Sequence, residues 1–320
     1  MKVLLLGANG LLGHNVMNQL VEDGHEVRIL VRNRAFEATG VDVRYGSFLD
    51  SGMLREVAQG CEAIVNCTGT TDMSLLRYED YLPVNAQGVE RIVHVMKESG
   101  IKTLVHVSTA NTIGYGRAGS EANEDEPMMM PFSQSYYALS KVESEKFLQR
   151  TAHNNDRWHI IIVNPGFMIG AFDNKPSSGQ LLLAGYKKPF MVAPGGGKSF
   201  IAVSDAARAI VNALTMGRNG ERYLLTGTEM SLKDFYRMQS EVCGYVQKLW
   251  VLPNWLLNLA GRLGDLIRMC GIKTQLSTRN VRQLMVREYY DNSRAREELG
   301  MPATDVREAV MEFFNWWNSR

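Results

Sequence analysis

Short apolar runs alternate with amphipathic stretches through the first half of the chain. Lys2–Gly7, Glu26–Val31, Asp42–Tyr45, Ala63–Cys67, Thr103–Ser108 and His159–Asn164 read as strands. Most are continuously apolar, the pattern of a sheet covered on both faces. Between them, Leu11–Glu22, Ser51–Gln59, Tyr78–Ser99 and Ser135–His153 read as helices. Such alternation predicts βαβ units with right-handed crossovers and a parallel, doubly wound sheet. After Pro165 the pattern loosens. Asp173–Gly179 and Ala193–Lys198 read as loops, Phe200–Val203 and Arg222–Thr226 as strands, and Ser204–Met216 as a helix between them. From Ser231 onward the chain reads as helical, broken at Pro253, Gly271 and Pro302.

Composition narrows the functional classes. A formal net charge of +1 gives no electrostatic footprint for nucleic acid and no pull toward an anionic membrane. The four cysteines show no CxxC spacing, which fits a reducing compartment. The start of the chain lacks the length and cleavage region of a signal peptide, and no run reaches the roughly 18 apolar residues of a membrane span. A cytoplasmic protein is expected, with no membrane association and no metal site.

Two motifs carry chemistry. The first strand runs into GANGLLG, with Gly7, Gly10 and Gly13 ahead of a helix. Glycines there permit a tight turn and close approach of a pyrophosphate, and the helix N-terminus offers unpaired N–H groups. The spacing is GxxGxxG rather than GxGxxG, so its place between strand and helix supplies its weight. The second strand ends in Arg32, Asn33 and Arg34, where an acidic residue would hold the ribose of NAD. Arginine cannot accept a hydrogen bond but suits a 2′-phosphate, which favours NADP(H) while leaving NAD(H) open. Asp50 could accept from an adenine amino group or cap the following helix. The second motif is SYYALSK, Ser135 to Lys141. On a helix Tyr137 and Lys141, four apart, share a face, whereas Tyr136 points elsewhere. A neighbouring ammonium would lower the phenol's pKa and let it handle a proton near neutrality.

With these motifs in place, the chain resembles the extended short-chain dehydrogenase/reductase family over nearly its whole length. CTGTT, PVNAQG, HVSTANTIGYG, NPGFMIG, FIAVSDAARAI, ERYLLTG and YYDNSRAREELG are further landmarks. The resemblance implies a Rossmann-type α/β domain over residues 1–170, with 199–227 returning to it. A smaller, mainly helical substrate-binding part covers 171–198 and 228–320. It also implies a catalytic hydroxyl at Thr109, with Ser108 the alternative, Tyr137 as proton donor, and Lys141 on the nicotinamide ribose. Cofactor contacts are implied at Gly7, Asn9, Gly10, Leu11, Leu12 and Gly13, at Arg32, at Leu49 and Asp50, at Thr68, Gly69 and Thr70, at Tyr137 and Lys141, and along Pro165, Gly166, Phe167 and Met168. Asn85 matches a family asparagine whose role here could be structural.

Within the family, Ala110–Asn111 stands where dehydratases place an Asp–Glu pair, and Asn164–Pro165 where many epimerases have Arg–Pro. HVSTANTIG and VNPGFMIG are most similar to the dihydroflavonol-reductase-like branch. The resemblance therefore implies NADPH-dependent reduction of a ketone or aldehyde. The alternatives are a nucleotide-sugar epimerase with tightly held NAD and a non-catalytic NADP-binding sensor. Met128–Met130 and Phe132 make the loop before the Tyr–Lys helix apolar. Met130, Phe132 and Tyr136 are the substrate-pocket candidates, although the loop could equally pack on itself. Leu252–Gly271 is amphipathic and is expected to cover the pocket. The partner is a small carbonyl or alcohol, and monomer and homodimer are both open.

Overall fold

The computed structural model describes all 320 residues. The main sheet holds β1 (Lys2–Leu6), β2 (Glu26–Val31), β3 (Asp42–Tyr45), β4 (Ala63–Asn66), β5 (Thr103–Val107), β6 (His159–Pro165) and β10 (Arg222–Leu225). Its order is β10-β6-β5-β4-β1-β2-β3, with every neighbouring pair parallel. Residues alternate between faces along β1. Val3 and Leu5 join a core with α1 (Leu11–Glu22) and α7 (Val203–Asn212), while Leu4 and Leu6 join α2 (Ser51–Ala58), α4 (Gln87–Ser99) and α5 (Tyr136–His153). This is a Rossmann-type layer structure. The strand order reverses between β1 and β4, which opens a crevice at their carboxyl ends.

Three expectations differ from the structure. Tyr78–Ser99 is not one helix: a 3₁₀ turn at Tyr78–Asp80 leads to α3 (Leu82–Asn85) and then α4. Pro83 explains the first break, because it has no N–H to donate and its ring would clash with the preceding turn. Ala193–Lys198 is not a plain loop, since β8 (Phe190–Pro194) and β9 (Gly197–Ala202) flank only Gly195 and Gly196. A Cβ at Gly196 would lie 2.4 Å from the Leu284 carbonyl oxygen, so this glycine lets a second chain segment approach closely. The third difference concerns β9 itself. It does not join the main sheet, but pairs with β7 (Phe167–Ile169) and β11 (Thr228–Ser231) in a separate three-stranded sheet.

A third core, built on Phe200, Phe235, Tyr236, Val310 and Phe313, holds α8 (Leu232–Val242) and α12 (Val306–Asn318) to that small sheet. α6 (Gly179–Gly185) joins this core through Leu182, whereas α11 (Ser293–Leu299) packs Ala295 and Leu299 into the core shared by α1 and α7. The helical tail contains one strand, β12 (Lys248–Leu252), paired in parallel with β8. α9 (Asn254–Met269) and α10 (Thr278–Gln283) form a hairpin over the loop after β4, where Arg268 donates to the Leu75 carbonyl at 2.5 Å and Asn280 to the Met73 carbonyl at 3.0 Å. No helix is long and apolar enough to cross a membrane.

Candidate functional site

The turn after β1 is shaped by glycine. Gly7 has φ +91, and a Cβ there would lie 2.8 Å from the Cys67 carbonyl. At Gly13 a Cβ would sit 2.1 Å from the Gly7 carbonyl oxygen. Leu11 and Leu12 turn into the core, while Asn9 and Gly10 stay exposed. Gly10 caps α1 without a side chain, and the first turn carries no acidic residue. The first N–H groups of α1 therefore face the crevice with a positive dipole end and nothing to satisfy them. These residues fit the pyrophosphate of a dinucleotide. Gly13→Ala should cost about 1–3 kcal/mol of stability and weaken dinucleotide binding. A urea midpoint and a fluorescence titration would measure the two effects.

At the end of β2, Arg32 and Arg34 are exposed and no carboxylate pairs with either. Asp50 caps α2, with Oδ1 accepting from the Gly52 and Met53 amides at 2.9 and 3.1 Å, and Leu49 precedes it half-buried. Thr68, Gly69 and Thr70 follow β4 on the far side of the crevice. Asn85 pins this segment: it accepts from the Thr70 amide at 2.8 Å and donates to the Thr70 carbonyl and the Ser140 hydroxyl. Its observed bonds are thus structural. Pro165 ends β6. A Cβ on Gly166 would meet the Ser199 carbonyl oxygen at 2.7 Å, and Phe167 and Met168 begin β7 half-buried.

Ser135 caps α5 through the Ala138 amide and sets the phase of the helix. That phase puts Tyr137 and Lys141 on one face. Thr109, two residues beyond β5, opens a short 3₁₀ turn (Ala110–Thr112) that packs against α5, and its side chain lies by Tyr137. Ser108 points the other way and donates a hydrogen bond to the Glu145 carboxylate. Thr109 is therefore the hydroxyl at the phenol, as strand alternation requires for one of two neighbours. Lys141 is buried, with Nζ donating to the carbonyls of Val107 at 2.9 Å and Thr68 at 3.3 Å.

The electrostatics differ from the expectation for a Tyr–Lys pair. Burial pushes the Tyr137 phenol up to about 12, with the Thr109 side chain pulling down and Glu145 pushing further up. Burial also brings Lys141 down to about 8, against the opposing charge of Glu145. The ammonium is turned to main-chain carbonyls, and desolvation outweighs any help it gives the phenolate.

The three substrate-side candidates do not form one lining. Phe132 is 0% exposed and packs edge-on against Tyr115 beneath the loop, whereas Met130 is 46% exposed. Tyr136 lies under the Arg279 guanidinium, 3.6 Å from its ring centre, beside a hollow of about 540 Å³ shared with Arg268. Two buried polar residues escape the motif reading. Glu145 is 2% exposed one turn beyond Lys141, and Asn164 donates to it at 2.7 Å. The four-residue spacing that pairs Tyr137 with Lys141 extends to Glu145 and is its one sequence signal.

Comparisons with known proteins agree with this geometry. The profile of the NAD dependent epimerase/dehydratase family matches residues 3–225. The putative dihydroflavonol 4-reductase of Synechocystis sp. is 26% identical, over 98% of this chain and 93% of that protein. Sterol demethylase protein B of Methylococcus capsulatus is 24% identical, over 100% of this chain and 99% of that protein. Among solved structures, gox2253 superposes with a TM-score of 0.84 at 26% identity, covering 99% of this chain and 98% of that one.

Proposed function

We propose a function from one fact now in hand: this chain belongs to the NAD dependent epimerase/dehydratase family, within the extended short-chain dehydrogenase/reductases. It is an NAD(P)-dependent oxidoreductase. The reaction we assign to it is NADPH-dependent reduction of a ketone or aldehyde.

One observation carries this reading. Tyr137 faces the turn that Thr109 opens, which packs against α5, and burial keeps it a neutral phenol at physiological pH. A protonated donor beside a hydroxyl is what a carbonyl needs as it becomes an alkoxide. The nicotinamide, when bound, supplies the hydride. Thr109 donates a hydrogen bond to the carbonyl oxygen and Tyr137 delivers its proton there. Lys141 holds the ribose hydroxyls from the next turn of α5, and its charge favours the phenolate left behind. The glycine turn holds the pyrophosphate, and Arg32 the 2′-phosphate. The exposed Met129 and Met130 beside the loop suit an apolar substrate. The relatives named for a dihydroflavonol and a sterol support the same class.

The test is transfer of deuterium from 4-deuterated NADPH to a panel of apolar ketones and aldehydes, read by mass spectrometry of the alcohols. Label in a product, with NADPH consumed in equal amount, is expected. Tight NADP(H) binding with no transfer to any carbonyl would favour a sensor.

A further inference from the structure

The polar residues behind the Tyr–Lys pair form a closed set. Tyr137, Lys141 and Glu145 stand four apart along one face of α5. The Glu145 carboxylate accepts from the hydroxyls of Ser108 and, at 2.7 Å, Thr112, and from the Asn164 amide at 2.7 Å. Its second oxygen faces an Arg222 Nη at 3.5 Å. Two of these donors reach further. Asn164 also donates to the Thr109 carbonyl at 3.1 Å, and the Thr112 hydroxyl, whose single proton serves one acceptor at a time, lies 2.8 Å from the same carbonyl. Glu145 therefore ties β5, the turn carrying Thr109, β6 and β10 to the helix that carries Tyr137 and Lys141.

We propose that Glu145 is a positioning residue for the reaction: it fixes the turn that presents Thr109 and supplies the buried negative charge that keeps Lys141 an ammonium. The inference rests on the reading of Tyr137, Lys141 and Thr109 as the reacting site. A buried lysine loses its proton readily unless a negative charge stands near. The other groups around Lys141 do not supply one at neutral pH. Cys67, at the end of β4, is a thiol that burial pushes up to about 12. His106, on β5, is held neutral by burial, its pKa well below the ordinary value. Tyr137 is a neutral phenol, and Arg222, on β10, is a cation. Glu145 is the remaining acid, and its field raises Lys141 against the effect of burial.

The experiment follows dinucleotide affinity rather than turnover. NADPH, with NADH beside it, is titrated by fluorescence between pH 7 and 10 against wild type, Glu145→Gln, and Thr112→Val as a control that keeps the charge. Wild type should lose affinity as pH rises through the Lys141 value of about 8. In Glu145→Gln that loss should begin about one pH unit lower, and in Thr112→Val it should stay in place. If Glu145→Gln does not fold by circular dichroism, the double variant Glu145→Gln/Arg222→Gln carries the same prediction without stranding the arginine's charge. A limb that stays put while affinity drops equally at every pH would make Glu145 merely structural. A flat wild-type profile would equally overturn the proposal. Failure of the wild type to reduce any carbonyl counts against the reductase reading alone, because the binding profile decides Glu145 without turnover.

Discussion

Tyr137→Phe is expected to lower kcat for carbonyl reduction by about 10²–10⁴-fold, the usual share of a positioned proton donor. The loss should fall on kcat, because the groups placed to hold the dinucleotide keep their supports without the phenol. Lys141 is held by the carbonyls of Val107 and Thr68, and the glycine turn by its own backbone. Affinity for NADPH should stay within about tenfold, since one neutral hydrogen bond is worth about 0.5–1.5 kcal/mol. The variant should also fold. It loses only a hydroxyl near the Thr109 side chain, and the ring keeps its place on α5. Single-turnover kinetics and a fluorescence titration separate the two quantities. Comparable turnover in the variant would remove Tyr137 from the mechanism.

Arg32→Asp should change the ratio of NADP(H) to NAD(H) affinity by about 10²–10³-fold in favour of NAD(H). The argument is electrostatic and local. Arg32 directly follows β2, whose register beside β1 is fixed from Lys2↔Glu26 to Leu6↔Leu30, so the chain leaves the sheet at a fixed place just before it. Its guanidinium has no carboxylate partner, and a bound 2′-phosphate would meet an uncommitted charge. Aspartate reverses the interaction: it repels the phosphate and can accept from a free ribose hydroxyl. An unchanged ratio would place the 2′ end of the cofactor elsewhere. Arg34, also exposed and unpaired, would be the next position to alter.

The half of the chain that forms the sheet was legible because its signals are local. β1, β4 and β6 follow their apolar runs to within one residue, since a strand covered on both faces needs little but apolar side chains. The small sheets were harder. β7, β9 and β11 are strands of three to six residues around glycines, and β12 alternates exposed and half-buried positions beside β8. Their pairing is set by tertiary contact, as at Gly196 under the Leu284 carbonyl, and leaves little trace in periodicity. The site divides along the same line. Tyr137 and Lys141 are visible as a spacing within one helix. Glu145 gains its meaning from Ser108, Thr112, Asn164 and Arg222, which come from four other places in the chain. Phe132 looked like a pocket residue because it is aromatic and lies next to the helix, yet its ring fills the space beneath Tyr115.

The most direct measurement needs no substrate. Freshly purified protein is denatured, and any released nucleotide is identified and counted. A reductase that exchanges its cofactor each cycle predicts empty sites, or partial occupancy by NADP(H) that added NADP(H) displaces. Near-stoichiometric NAD that does not exchange would contradict both the Arg32 reading and the reductase assignment, and would point to an epimerase that regenerates its cofactor in place.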